Sequence, residues 1–245
     1  MGKRIRKKSI KYVVTNSFLI IFLILLAISS IEIIKWIKEN KQNKKIKEKI
    51  SEAIIINEEE TVIDFNKLKE INKDVVGWLK VNGTDIEYAV VKANDNSYYL
   101  DHNFENEYNK AGWIFADYKN KLDGTDKNIV IYGHNRRDGS MFASLKNILK
   151  EEWYSNPENR KITFITENEN CIYEVFSIYQ IEAEDYYITT DFENGEFLKY
   201  IETVKNRSIK DFNIEVTEEN NILTLSTCGN DNDYRVVLHA KKIER

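Results

Sequence analysis

The chain has 245 residues, 42 % of them hydrophobic, enough for one compact domain with a sizeable core plus an accessory segment. Lys3, Arg4, Arg6, Lys7, Lys8 and Lys11 crowd the first eleven residues, leaving 30 of the 36 basic residues against all 40 acids in the rest, an acidic body unsuited to nucleic acid. Two cysteines, Cys171 and Cys228, exclude a disulfide framework, and with no CxxC pair and three scattered histidines (His102, His134, His239) neither a metal site nor a cofactor is expected.

Behind the basic tail, 1–11, the run from Tyr12 to Ile31 holds no charged residue and has FLIIFLILLAISSI at its centre. A stretch of about 20 such residues spans the hydrocarbon of a bilayer as a helix. A cleaved signal peptide is the competing reading, with Ala27-Ile28-Ser29 as its small-x-small site. Apolar residues continue through Ile33, Ile34, Trp36 and Ile37, which favours an uncleaved transmembrane signal-anchor over 12–37. Lysines follow the span as well as precede it, so the positive-inside rule is nearly balanced. The short basic tail tips it toward an amino terminus inside the cell.

Residues 38–63 are rich in charge and hold neither proline nor glycine, the composition of a helical or partly disordered stalk, solvated on most sides. Asp64 to Lys73 reads as a short helix with Phe65, Leu68 and Ile71 on one side. Strand-like runs follow at 75–81, 85–92, 112–116, 128–132, 161–166, 172–181, 221–227 and 234–242. Helical patches interrupt them at 141–149 and 192–205. Eight short strands with few helices describe a mainly β fold with peripheral helices, an antiparallel-rich barrel that is closed or nearly so.

The stretch ILTLSTCGNDNDYRVVLHAKK, residues 222–242, carries the first chemical signal. Alternation puts Leu223 and Leu225 on one face and Thr224, Ser226 and Cys228 on the other. The turn formers Gly229 to Asp233 return the chain as a hairpin, which brings Cys228 and Arg235 to one end of the sheet. In NIVIYGHNRRDGSMFASL, 128–145, an apolar strand ends at Gly133 with His134 just beyond it. Thiol, imidazole and guanidinium are the parts of a nucleophilic site: a thiolate to attack, a base to exchange protons, a fixed cation for the carbonyl oxygen. Taken singly, each has a bland reading. A strand-end cysteine can be a small buried hydrophobe, a loop histidine a solvated side chain, an arginine beside a turn a surface charge.

TLSTC followed by RVVLHAK closely resembles the signature of sortases, the membrane-anchored cysteine transpeptidases of Gram-positive bacteria. YGHN-x3-GSMF, INKDVVGWLKVNGTDIEYAVVK and YYLDHNFENEYNKAGWIFAD resemble segments of class B, and the helix before the cysteine strand fits the class B insertion. The resemblance covers 64–245 and implies a sortase-like eight-stranded barrel there. It implies Cys228 as nucleophile, His134 as acid/base and Arg235 as the oxyanion and substrate clamp. Asn96, Leu100, Tyr187 and Ile188 match positions lining the class B substrate groove, and Ser226 can donate a hydrogen bond to substrate; for each, plain packing is the alternative. One departure is Ala89, where relatives often carry proline.

The implied substrates are exported proteins with a C-terminal sorting signal like NPxTN or SPKTG, cut after threonine and passed through a Cys thioester to a peptidoglycan amine. The catalytic domain would then stand outside the cell membrane, facing the wall. A cysteine hydrolase on the same fold, or an anchored binding module with a dead site, are the competing functions. His102 and His239 are expected to be structural, and Cys171 to lie in a polar hairpin turn without a catalytic part.

Overall fold

The computed structural model describes residues 2–56, 61–228 and 234–244, and the side chains of 12–55, 61–227 and 234–243. The expected turn from Gly229 to Asp233 and the side chain of Cys228 lie outside the described residues. Helix α1 (Gly2–Ser51) is the single helix among the described residues long and apolar enough to cross a membrane; its most apolar window has a mean hydropathy of 2.7. The chain divides into two units, Met1–Lys44 and Lys45–Arg245.

The second unit begins earlier than the expected boundary at residue 64. Ile46 and Ile50 of α1 and Ala53 after it are at most 2 % exposed, and strands β1 (Ile54–Ile56) and β2 (Thr61–Ile63) pair antiparallel. The expected stalk is therefore not solvated throughout. Its lysines mask an apolar face at i and i+4, which a helix buries however charged its other sides are.

Helix α2 (Phe65–Ile71) starts at Asp64, whose Oδ1 accepts from the Lys67 amide at 3.1 Å, and buries Phe65 and Leu68. The barrel strands are β3 (Val75–Val81), β4 (Glu87–Val91), β5 (Phe115–Ala116), β6 (Asn128–His134), β7 (Lys161–Ile165), β8 (Asn170–Glu182), β9 (Ile222–Cys228) and β10 (Tyr234–Glu244). They close in the order β10-β8-β7-β3-β4-β5-β6-β9. All neighbours run antiparallel except β4 with β5 and β6 with β9. Eight strands enclose just enough room for side chains, here Leu79, Val90, Ile131, Phe164, Leu223, Leu225 and Leu238. Gly77 is required by this packing, because a Cβ there would stand 2.6 Å from the Phe164 ring.

Two expectations change. The run 112–116 yields ladder pairing only at Phe115–Ala116, and Gly112 takes a positive φ of 58°, outside the extended region of a regular strand. The helical patch at 141–149 forms a 3₁₀ turn, Ala143–Leu149, before a short α3 (Glu151–Tyr154). The inserted helix forms as α4 (Glu196–Arg207), with Phe197, Tyr200, Ile201 and Val204 buried at helical spacing. They pack with Phe176, Tyr179, Tyr187 and Val237 in a second core.

Beneath α4 lies a buried polar network centred on His239 of β10. Thr224 Oγ1 donates to Asn128 Oδ1 at 2.8 Å, so its contact with His239 Nδ1 at 2.9 Å needs the proton on the ring. His239 Nε2 is then the acceptor for the Tyr179 hydroxyl at 2.8 Å. Complete burial, with Arg207 nearby, pushes the His239 pKa down to about 3. The ring is neutral and architectural, as expected. His102 is also tied into structure, its ring stacked 4.1 Å from that of Tyr98 and its Nδ1 2.9 Å from the Tyr98 carbonyl. Cys171 stands not in a turn but in β8, opposite Phe164 of β7, because its small side chain fits the buried ladder. Burial and the carboxylate of Glu169, to which its Sγ donates at 3.2 Å, push that thiol up.

Candidate active site

Three neighbouring strands build the site. Parallel β6 and β9 pair over seven residues, ending at Tyr132 with Ser226, Gly133 with Thr227 and His134 with Cys228. Antiparallel β10 pairs Val237 with Ser226 on the other edge of β9, and the Val236 amide donates to Thr227 Oγ1 at 2.9 Å. The same register continued by two residues would set Arg235 level with position 228. Backbone positions 134 and 228 are therefore direct partners on strands about 5 Å apart, and Arg235 stands two residues past the last β9–β10 pair.

His134 is 7 % exposed. Its Nε2 lies 2.7 Å from the carbonyl oxygen of Leu100, which can only accept, so Nε2 carries the proton of the neutral ring. Nδ1 is buried and finds no hydrogen-bond partner among the described residues. Burial lowers the pKa of His134, partly opposed by the Leu100 bond; Arg136 lowers it further and Asp101 raises it. The contact with Leu100 depends on Gly112, where a Cβ would meet the Leu100 oxygen at 2.7 Å and His134 Cδ2 at 2.9 Å.

These strand ends open on a cavity of about 1040 Å³. Its lining brings His134 and Arg235 together with all five expected groove residues, Asn96, Leu100, Tyr187, Ile188 and Ser226. Asn96 has a scaffold role there: it donates to Asp117 Oδ2 at 2.8 Å and accepts from the Tyr118 amide at 3.0 Å. Tyr132 donates to the same Asp117 oxygen at 2.8 Å. Ser226 Oγ donates to the Tyr187 hydroxyl oxygen at 3.4 Å, and Tyr200 of α4 donates to the Tyr187 carbonyl at 2.8 Å. Arg235 is partly exposed, with Nη1 3.3 Å from the Tyr234 carbonyl. The sequence reading missed Asp101, Lys110, Thr227 and the rim at 183–185, which also line the cavity. Asp101 adjoins Leu100 in YYLDHNF, so its neighbour was the available signal.

The model of the sortase domain matches residues 79–243. Sortase B of Listeria monocytogenes is 40 % identical over 74 % of this chain and 75 % of its own. The chain belongs to the class B sortases. Among solved structures, sortase B from B. anthracis in complex with AAEK1 superposes with a TM-score of 0.75 at 36 % identity, covering 85 % of this chain and all of that one. Sortase B of Clostridium perfringens gives 0.68 at 39 % identity, over 74 % of this chain and all of that one. This sortase is accordingly a cysteine transpeptidase of the cell wall, with a sorting signal as substrate class and an amine as acceptor. Its closed eight-stranded barrel is the fold of those structures.

Proposed function

We propose that this sortase is held in the cell membrane by a single span over 12–37, amino terminus inside, with its catalytic body outside against the wall. There it cuts an NPxTN- or SPKTG-like sorting signal after threonine. The Cys228 thiol gives its proton to His134 Nδ1, the ring nitrogen that has no partner among the described residues while Nε2 is committed to Leu100. The thiolate adds to the threonine carbonyl, and Arg235 stabilises the charge that develops on its oxygen. The C–N bond breaks, the leaving amine takes the proton back from His134, and a thioester on Cys228 remains. An amine of the peptidoglycan peptide then displaces the sulfur. The observation that carries this reading is the backbone pairing of position 228 with His134, in a chain where His134 and Arg235 line one cavity.

The full chain in detergent, given fluorogenic sorting peptides with and without an amine, tests it. Amide product is expected in the presence of the amine; free acid alone would favour a hydrolase, and no cleavage a binding module. Cys228→Ala is expected to abolish both products while the circular dichroism spectrum is unchanged, since a strand-end alanine leaves little cavity. Cleavage by that variant at the normal rate would overturn the mechanism.

A further inference from the structure

We propose that Asp101 is the carboxylate on which the acceptor amine docks before it attacks the acyl enzyme. The inference rests on the transpeptidase reading above.

An amine acceptor reaches the enzyme as an ammonium ion, because alkyl and α-amino groups are largely protonated at neutral pH. It becomes a nucleophile only where a base takes a proton, so it must approach the imidazole. The cavity is divided in charge. Arg235, where the acyl carbonyl is to be held, pairs with Ile181 near the end of β8, and the cavity residues Glu184 and Asp185 follow that strand. Glu184 is engaged with Arg207 at 2.9 Å. On the side of His134 the cavity carboxylate is Asp101. It follows directly on Leu100, whose carbonyl fixes the ring, and its charge is felt at that ring.

Asp101 is half exposed, and one of its oxygens, Oδ1, contacts His102 Nδ1 at 2.8 Å. An ammonium on Asp101 would sit in the cavity that His134 also lines. Lys110 lines the same cavity, and the amide of its neighbour Asn109 donates to the Asp101 carbonyl at 2.8 Å. In the step itself the amine nitrogen bonds to the thioester carbon and the C–S bond breaks. Of the two protons the ammonium sheds, one goes to water and one passes through His134 Nδ1 to the departing sulfur.

The test is the ratio of amide to acid product made by the full chain in detergent, since folded-enzyme concentration cancels within each sample. Two nucleophiles are compared: triglycine, a cation at neutral pH, and hydroxylamine, which is uncharged there. Asp101→Asn is expected to lower the triglycine ratio about five- to tenfold, the size of one partly exposed charge pair. The hydroxylamine ratio is expected to stay within about twofold on the same reasoning, and Asp101→Glu to restore most of the loss. An unchanged triglycine ratio, or an equal fall for both nucleophiles, overturns the proposal. Should Asp101→Asn make neither product, Lys110→Glu is expected to raise the triglycine ratio, and no rise overturns it. Absence of any cleavage by the unaltered chain would overturn the transpeptidase reading and this inference together, whereas intact cleavage with an unmoved ratio sinks this inference alone.

Discussion

Gly112 shows how one missing side chain positions His134, the proposed acid/base residue. Its positive φ and the closeness of Leu100 and His134 leave no space for a methyl group. Gly112→Ala is expected to cost about 1–2 kcal/mol of stability from the left-handed backbone alone. It should also push the Leu100 carbonyl away from Nε2 and free the ring to change tautomer. The readout is the pH–rate profile. In the unaltered chain burial lowers the His134 pKa from its ordinary 6.5, so the ring stays an unprotonated base, and activity persists, to somewhat lower pH. The Leu100 contact opposes that shift, so its loss should move the acid limb lower still while turnover falls. An unchanged profile would mean the carbonyl does not position the ring. None of this was legible in the residues, because Leu100 acts through its backbone and Gly112 through what it lacks. His134 and Arg235 were legible because side-chain chemistry at a strand end leaves a motif.

At the level of elements, α4 and the sheet beneath it hold one wall of the groove. Tyr200 anchors the Tyr187 carbonyl from the helix side and lies 3.4 Å from His239 Nδ1. Because His239 has a folded-state pKa of about 3 against an ordinary 6.5, the unfolded chain binds the extra proton between those values. Its contribution to stability is complete above pH 6.5 and is lost as the pH falls toward 3. Chemical denaturation should therefore find the fold weaker at pH 5 than at pH 7 by about 2 kcal/mol from this residue alone. His239→Gln is expected to remove that part of the pH dependence and to lower stability at pH 7 by about 1–3 kcal/mol. An unaltered slope would mean His239 is not the titrating group. The sequence made these elements readable because period-two and period-3.6 patterns survive in β3, β6, β9 and α4. It concealed β1 and β2, which are three residues each and flank an acidic run, too short for either period to register.

For the molecule as a whole, the boundary of the folded body is the testable point. Ile46 and Ile50 are almost fully buried, and burying one such side chain stabilises by about 1.5–3 kcal/mol. A chain trimmed to 64–245 is expected to unfold at a clearly lower temperature than one trimmed to 45–245, as read by calorimetry. Equal melting would show that the end of α1 adds nothing to the barrel. The charged tract 38–63 disguised this, since a count of lysines does not show which face they occupy.

The parallel partnership of β6 and β9 also governs when the enzyme comes alive. Two side-by-side strands running the same way cannot be joined by a tight turn, so a long stretch of chain, α4 included, must be laid down between them. Such distant pairings are late events in folding, since the loop has to be closed before the contact is rewarded. A nascent chain emerging amino end first releases His134 well ahead of Cys228. Positions 134 and 228 become partners only when β9 pairs with β6, so under the proposed mechanism a half-made molecule would have no means of acylating itself on a passing peptide.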